Sequence, residues 1–264
     1  MNLIKSWIEL SLLLSLIPYA ALFFIRRLRK YVAKNYNLIM IDMDGTFIKT
    51  HTFQKALEMA YANQGDNIYN ELIYRSKQTR AYTQDNIRML KGLEALVNAK
   101  FTKNMEMKVA KISELYLNYD LLKSLKKIKG KEIIITTKSS DLIAKYLSKK
   151  YGLSGGYGSI MKYGRKGKIV GAERLITDKE HKFNKLFVTK LSLAKFHMTK
   201  KDKRFDPKKT VIISNDILDI ETMKNVGLSI IVKENSYDLI GRLSYNLKLF
   251  DIMIDNKYTQ IENI

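Results

Sequence analysis

Two acids stand two residues apart, Asp42 and Asp44, in the run Asp42-Met43-Asp44-Gly45-Thr46 that follows the apolar stretch at 37–41. Acids at i and i+2 leaving a strand can both face a crevice once the chain turns into a loop, and Gly45 permits a sharp turn. One carboxylate could then attack a phosphorus atom while the other handles the proton of the ester oxygen. The same spacing also occurs in solvated acidic turns, so the surrounding elements decide between the two readings.

Those elements follow a strand–helix grammar. Short apolar runs at 37–41, 132–136, 210–214 and 228–232 predict strands buried on both faces, as in a parallel sheet. Helical spacing at 141–151, 182–196 and 217–225 lies between them. The predicted fold class is α/β, a doubly wound parallel sheet. In such a sheet the site lies outside the carboxyl ends of the strands, where Asp42 and Asp44 fall. Residues 50–127 carry apolar residues at helical period, as in Phe53, Ala56, Leu57 and Ala60, and predict a helical cap over the sheet. Residues 157–172, with several glycines, predict a β-hairpin.

With the Asp-x-Asp-Gly-Thr run after an apolar strand, the chain resembles the haloacid dehalogenase-like (HAD) superfamily of phosphohydrolases, over about residues 36–250. The insert directly after the first motif, and the glycine-containing hairpin, resemble its phosphoserine phosphatase-like branch. The resemblance implies Asp42 as a nucleophile that forms an aspartyl-phosphate. It implies Asp44 as general acid and base, with its main-chain carbonyl on Mg²⁺. The family's second motif is a hydroxyl at the end of the next core strand, which Thr136 fits, with Thr137 one place away. Its third is a lysine near the start of a helix, for which Lys182 matches a Lys-apolar-x-x-Leu pattern and Lys185 is the alternative. Its fourth is an acidic pair four residues apart. The run Asp219-Ile220-Glu221-Thr222-Met223 sets that register, so the first position falls on Asn215, a departure from the family's acid. The implied Mg²⁺ set is Asp42, Asp44, Asn215, Asp216 and Asp219. Mg²⁺ favours carboxylates, so Asn215 predicts weaker metal binding unless Asp216 substitutes.

Residues 6–25 hold one charge, Glu9, and 10–25 hold none. At about 1.5 Å per residue, twenty residues cover roughly 30 Å of hydrocarbon. Lys5 precedes this stretch, while Arg26, Arg27, Arg29, Lys30 and Lys34 follow it. That asymmetry predicts an uncleaved single-pass anchor over 1–30 with the following domain in the cytoplasm. Only 16 residues lie between Ile25 and Asp42, which holds the site within a few tens of ångströms of the bilayer.

Composition narrows the class further. With 47 Lys plus Arg against 26 Asp plus Glu, the net charge is +21, and most of it lies beyond residue 30. That balance predicts attraction to something anionic, whether a membrane surface, nucleic acid, or a phosphorylated small molecule or lipid headgroup; a Lys-rich surface from compositional bias is the alternative. The absence of cysteine excludes disulfide scaffolds, Cys-ligated zinc and thiolate nucleophiles. His51, His181 and His197 show no metal-ligand spacing. Nucleic-acid binding is not favoured, since no known binding motif appears.

The expected organisation is an anchor at 1–30, a HAD-like core at 36–49 and 128–250, and a cap at 50–127. The expected function is Mg²⁺-dependent phosphomonoester hydrolysis at a membrane, through Asp42 and Asp44 with Thr136 and Lys182 on the phosphoryl oxygens. The competing expectation, raised by Asn215, is a catalytically silent binding protein on the same fold.

Overall fold

Leu38, Ile39, Met40 and Ile41 are all buried, as an apolar run covered on both faces must be. They open β1 (Leu38–Asp42) in a computed structural model that describes residues 36–61, 85–179, 184–216, 219–233 and 251–255. After β1 come α1 (Thr52–Tyr61), α2 (Asp85–Asn98), α3 (Lys103–Ser113) and α4 (Tyr119–Lys127). The core resumes with β2 (Glu132–Ser140), α5 (Asp141–Tyr151), β3 (Gly155–Tyr163) and β4 (Ile169–Thr177). It continues through β5 (Phe187–Thr189), α6 (Lys190–Lys200), β6 (Thr210–Ser214), α7 (Ile220–Asn225), β7 (Leu228–Lys233) and β8 (Ile252–Asp255).

The strands of the described residues form one sheet in the order β5-β4-β3-β2-β1-β6-β7-β8. Neighbours run parallel except β3 and β4, so the sheet is parallel-dominated and mixed at one junction. The predicted hairpin is thus longer than 157–172, and its first strand pairs with β2.

Helices cover both faces. Ile39, Ile41, Ile133, Ile135, Val211 and Ile213 pack in one cluster with Leu57, Val109, Ala144 and Leu147 from α1, α3 and α5. Leu38, Met40, Ile134 and Ile212 pack in the other with Ala194, Met198 and Met223 from α6 and α7. Each fully buried Leu or Ile contributes about 1.5–3 kcal/mol. The period of two along a strand places Asp42, Thr136 and Ser214 on the second row, at its carboxyl end. Asp42 and Thr136 are direct register partners.

Local chemistry fixes the helix ends around this row. Ser140 caps α5 by accepting from Ile143 N, and Gly152 ends the helix at φ +70°. Thr189 caps α6 by accepting from Ser192 N. Gly156 lets β3 close on α5, because a Cβ there would lie 2.1 Å from the Ala144 carbonyl oxygen.

The helices between β1 and β2 are tied to the core. Asn118 Nδ2 donates to the Thr46 carbonyl at 3.1 Å, and its backbone N–H donates to Phe47 O. Ile169 N donates to Phe101 O, joining the helical segment to β4. Glu106 on α3, buried, accepts from the hydroxyls of Ser140 and Tyr163. The expected anchor at 1–30 and part of the expected cap, 62–84, lie outside the described residues. Among the described residues no helix is long and apolar enough to cross a membrane.

Candidate active site

The loop leaving β1 is held by its own backbone. Phe47 N donates to Asp42 O, Ile48 N donates to Met43 O, and Gly45 adopts φ +78° between them. That left-handed turn is what Gly45 permits and a branched residue would resist. It brings Asp44 against the start of α1. Thr52 N donates to Asp44 Oδ1 at 2.7 Å, and Thr52 Oγ1 donates to Oδ2 at 3.1 Å. The hydroxyls of Thr52 and Ser139 lie 2.6 Å apart, linking Asp44 to the end of β2.

Asp42 is buried and has a charged partner. Lys190, the first residue of α6, places its Nζ 2.6 Å from Asp42 Oδ1 and 2.6 Å from Asp219 Oδ2. Asp219 Oδ2 also accepts from Ser214 Oγ at 2.6 Å. Burial pushes the Asp42 carboxyl up to about 7, with Lys190 pulling against it and Asp219 and Asp44 adding to the rise. Burial raises Asp44 as well, against its two hydrogen bonds from Thr52. Burial also tends to raise Asp219, but Lys190 and Lys138 overcome it and hold that carboxyl below its ordinary value. Burial opposes the charge on Lys190, yet Asp219 and Asp42 more than offset it and hold the ammonium above the usual lysine range.

Two hydroxyls midway along β2, where its ladder with β1 ends, are distinguished by their partners. Thr137 Oγ1 accepts from Ser139 N at 3.0 Å, which commits it to its own strand's backbone. Thr136 Oγ1 is buried and has no hydrogen-bond partner among the described residues. Leaving such a group unmade costs about 1–3 kcal/mol, so Thr136, the register partner of Asp42, is a candidate ligand position.

The fourth expected segment also reaches the site. Asn215 follows β6 and exchanges two hydrogen bonds with Thr46: Thr46 Oγ1 donates to Asn215 Oδ1 at 2.9 Å, and Asn215 N donates to Thr46 Oγ1 at 2.8 Å. Asp216 forms the next turn, its N–H donating to Ser214 Oγ and its carbonyl accepting from Asp219 N.

The structure brings a lysine other than the two expected ones to Asp42. Lys182 lies outside the described residues, and Lys185 is exposed. The lysine placed on Asp42 is Lys190, which the sequence reading missed because it ran one helix through 182–196. Phe187, Val188 and Thr189 instead pair with β4 as a strand, and the helix starts after them. The only signal was short: Phe187 and β-branched Val188, then the capping Thr189 and a lysine.

The oxygens gathered here suit a hard cation. They are the Asp42 carboxylate and Asp219 Oδ1, the latter buried and without a hydrogen-bond partner among the described residues, with Asn215 Oδ1 tied to Thr46 of the loop after Asp42; the resemblance adds the Asp44 carbonyl. No set of three His, Cys, Asp or Glu side chains able to hold a metal occurs among those residues. Mg²⁺ does not require one, since it commonly binds through one or two carboxylates, substrate phosphate and water. The donor set therefore fits Mg²⁺.

No protein-family model matches the sequence, and no curated protein matches it significantly. Solved structures do share its fold. A phosphoserine phosphatase with a phospho-aspartyl intermediate analogue is 16% identical, with a TM-score of 0.58 over 83% of this chain and 93% of that one. A HAD family hydrolase from Salmonella enterica subsp. enterica serovar Typhi is 15% identical, with a TM-score of 0.61 over 86% of this chain and 68% of its own. A cytosolic 5'-nucleotidase bound to cytidine is 12% identical, with a TM-score of 0.54 over 88% and 83%. At these identities the likeness is one of fold.

Proposed function

We propose that this chain, built on the HAD-type phosphatase fold, hydrolyses phosphomonoesters with Asp42 as the nucleophile. The observation that carries this reading is the Lys190 ammonium 2.6 Å from both Asp42 and Asp219, with the register partner of Asp42, Thr136, holding a buried hydroxyl that has no hydrogen-bond partner among the described residues. Asp42 attacks phosphorus and becomes the acyl phosphate. Asp44, raised by burial and held at the start of α1 by Thr52, carries the proton to the leaving oxygen. It then takes a proton from the water that cleaves the acyl phosphate. Lys190 and Thr136 face the phosphoryl oxygens, where fixed cations and donors stabilise developing charge. Mg²⁺ would be held by Asp42, the Asp44 carbonyl and Asn215, with Asp216 and Asp219 beside them, and would supply charge neutralisation at the phosphoryl group.

The substrate we favour is a phosphomonoester at a membrane surface, either a lipid headgroup or a small phosphorylated metabolite. The uncharged run at 10–25, the basic residues after it and the net charge of +21 support an anchored enzyme beside anionic lipid, with its domain in the cytoplasm. Phosphate release from an aryl phosphate, with and without Mg²⁺, tests the chemistry. Release that is lost in Asp42→Asn supports it, and silence across soluble and lipid monoesters sinks it. Hydrolysis of soluble esters only, with lipid phosphates in mixed micelles untouched, would remove the lipid part.

Asn215 favours a second reading, a phosphate-binding protein without turnover. Binding of inorganic phosphate with no hydrolysis of any monoester would select it.

A further inference from the structure

Asn215 leaves this site short of negative charge. Lys190 lies 2.6 Å from Asp42 and from Asp219, so one ammonium already faces two carboxylates. Both Asp44 carboxylate oxygens already accept from Thr52, so Asp44 adds little free negative charge for a cation. Asn215 is neutral, and its Oδ1 already accepts from Thr46 Oγ1, whose oxygen accepts in return from Asn215 N. That two-bond clasp fixes a neutral oxygen at the end of β6. Mg²⁺ sheds water reluctantly and needs anionic oxygens to do so. A phosphoryl group brings both the charge and the oxygens that the protein lacks.

We propose that the divalent cation and the phosphoryl ligand bind interdependently, and that Asn215 sets this coupling. The cation is held weakly by the protein alone and tightly once a phosphoryl group occupies the place beside Thr136 and Lys190. Coupling between two ligands is reciprocal, so the cation must tighten phosphate by the same factor. The inference rests on the reading that this pocket takes a phosphoryl group, but it does not require turnover.

The test uses the full chain and reads binding: Mn²⁺ as a spectroscopic stand-in, titrated by electron paramagnetic resonance with and without inorganic phosphate. In the unsubstituted protein, phosphate should tighten Mn²⁺ by about tenfold or more, with the same factor in the reverse titration. Asn215→Asp should bind Mn²⁺ about tenfold more tightly without phosphate, and its coupling should shrink. Equal Mn²⁺ affinity with and without phosphate in the unsubstituted chain overturns the proposal, whether or not Asn215→Asp folds. A folded Asn215→Asp with unchanged Mn²⁺ affinity overturns the role given to Asn215. Coupled binding without hydrolysis leaves this inference standing and removes catalysis. Hydrolysis without coupled binding does the reverse.

Discussion

The ammonium of Lys190 stands 2.6 Å from Asp42 Oδ1, although 148 residues separate the two in the chain. The contact is buried, and Lys190 also reaches Asp219. Lys190→Met keeps the length and removes the charge. We expect kcat/KM to fall by about 10²–10³-fold, as for loss of a preorganised charge at a phosphoryl group. Removing one partner of a buried pair also costs about 3–5 kcal/mol, reduced here because the orphaned carboxyls can take up protons. The loss in thermal stability should therefore be larger at alkaline than at mildly acid pH. Equal stability at both, with activity retained, would refute this role.

As the proposed nucleophile Asp42 would have to be ionised, and burial raises its carboxyl to about 7. In a protein without bound metal or phosphate the reactive form therefore grows as pH rises through about 7. The linked stability has the opposite sign. A folded value above the ordinary 3.8 means that the folded state holds this proton more tightly, so the contribution is present at low pH and lost as pH rises through about 7. Asp42→Asn should abolish turnover and flatten stability against pH across that interval. An unchanged slope in the variant would show that another group titrates there.

Thr136 Oγ1 separates a functional role from a structural one. The hydroxyl is buried and has no partner among the described residues, so Thr136→Val removes no internal hydrogen bond. Stability should hold or rise slightly. Phosphate affinity and turnover should fall, the latter by about 10²-fold. A variant with normal turnover would place the phosphoryl donor elsewhere, while one that is severely destabilised would make the hydroxyl structural.

The parts legible in the sequence were those fixed by short-range pattern. The apolar runs at β1, β2, β6 and β7 carry their burial in their composition, and α5 spans residues 141–151 as its periodicity predicts. The places of Asp42, Thr136 and Asn215 along the strands were legible because each ends or follows such a run. Lys190 was not, because one lysine among many in a basic chain stands out little, and a three-residue strand before its capping Thr189 is too short for periodicity to register. The Thr46–Asn215 clasp spans 169 residues, so no spacing rule reaches it. The choice between Thr136 and Thr137 likewise depends on a hydrogen bond to Ser139 that composition does not encode.

A final prediction concerns the other end of the sheet, where Glu132 is the register partner of Leu38 at the start of β1. Glu132 accepts from Lys203 Nζ at 2.5 Å and lies 3.1 Å from His197 Nε2, whose Nδ1 is 2.8 Å from Tyr157 OH. Burial tends to raise Glu132, but the hydrogen bonds from Lys203, His197 and Ser154 prevail and pull it down to about 2. A lowered folded value means that its stability is present above the ordinary 4.5 and is lost as pH falls toward about 2. Glu132→Gln should shallow the fall in melting temperature across that acid window and lower stability near neutrality. Because Asp42 lies at the opposite end of β1, kcat and KM should be unchanged. A steep acid fall persisting in the variant would assign acid sensitivity to other carboxylates, and a change in kcat would mean that the two ends of the sheet are coupled.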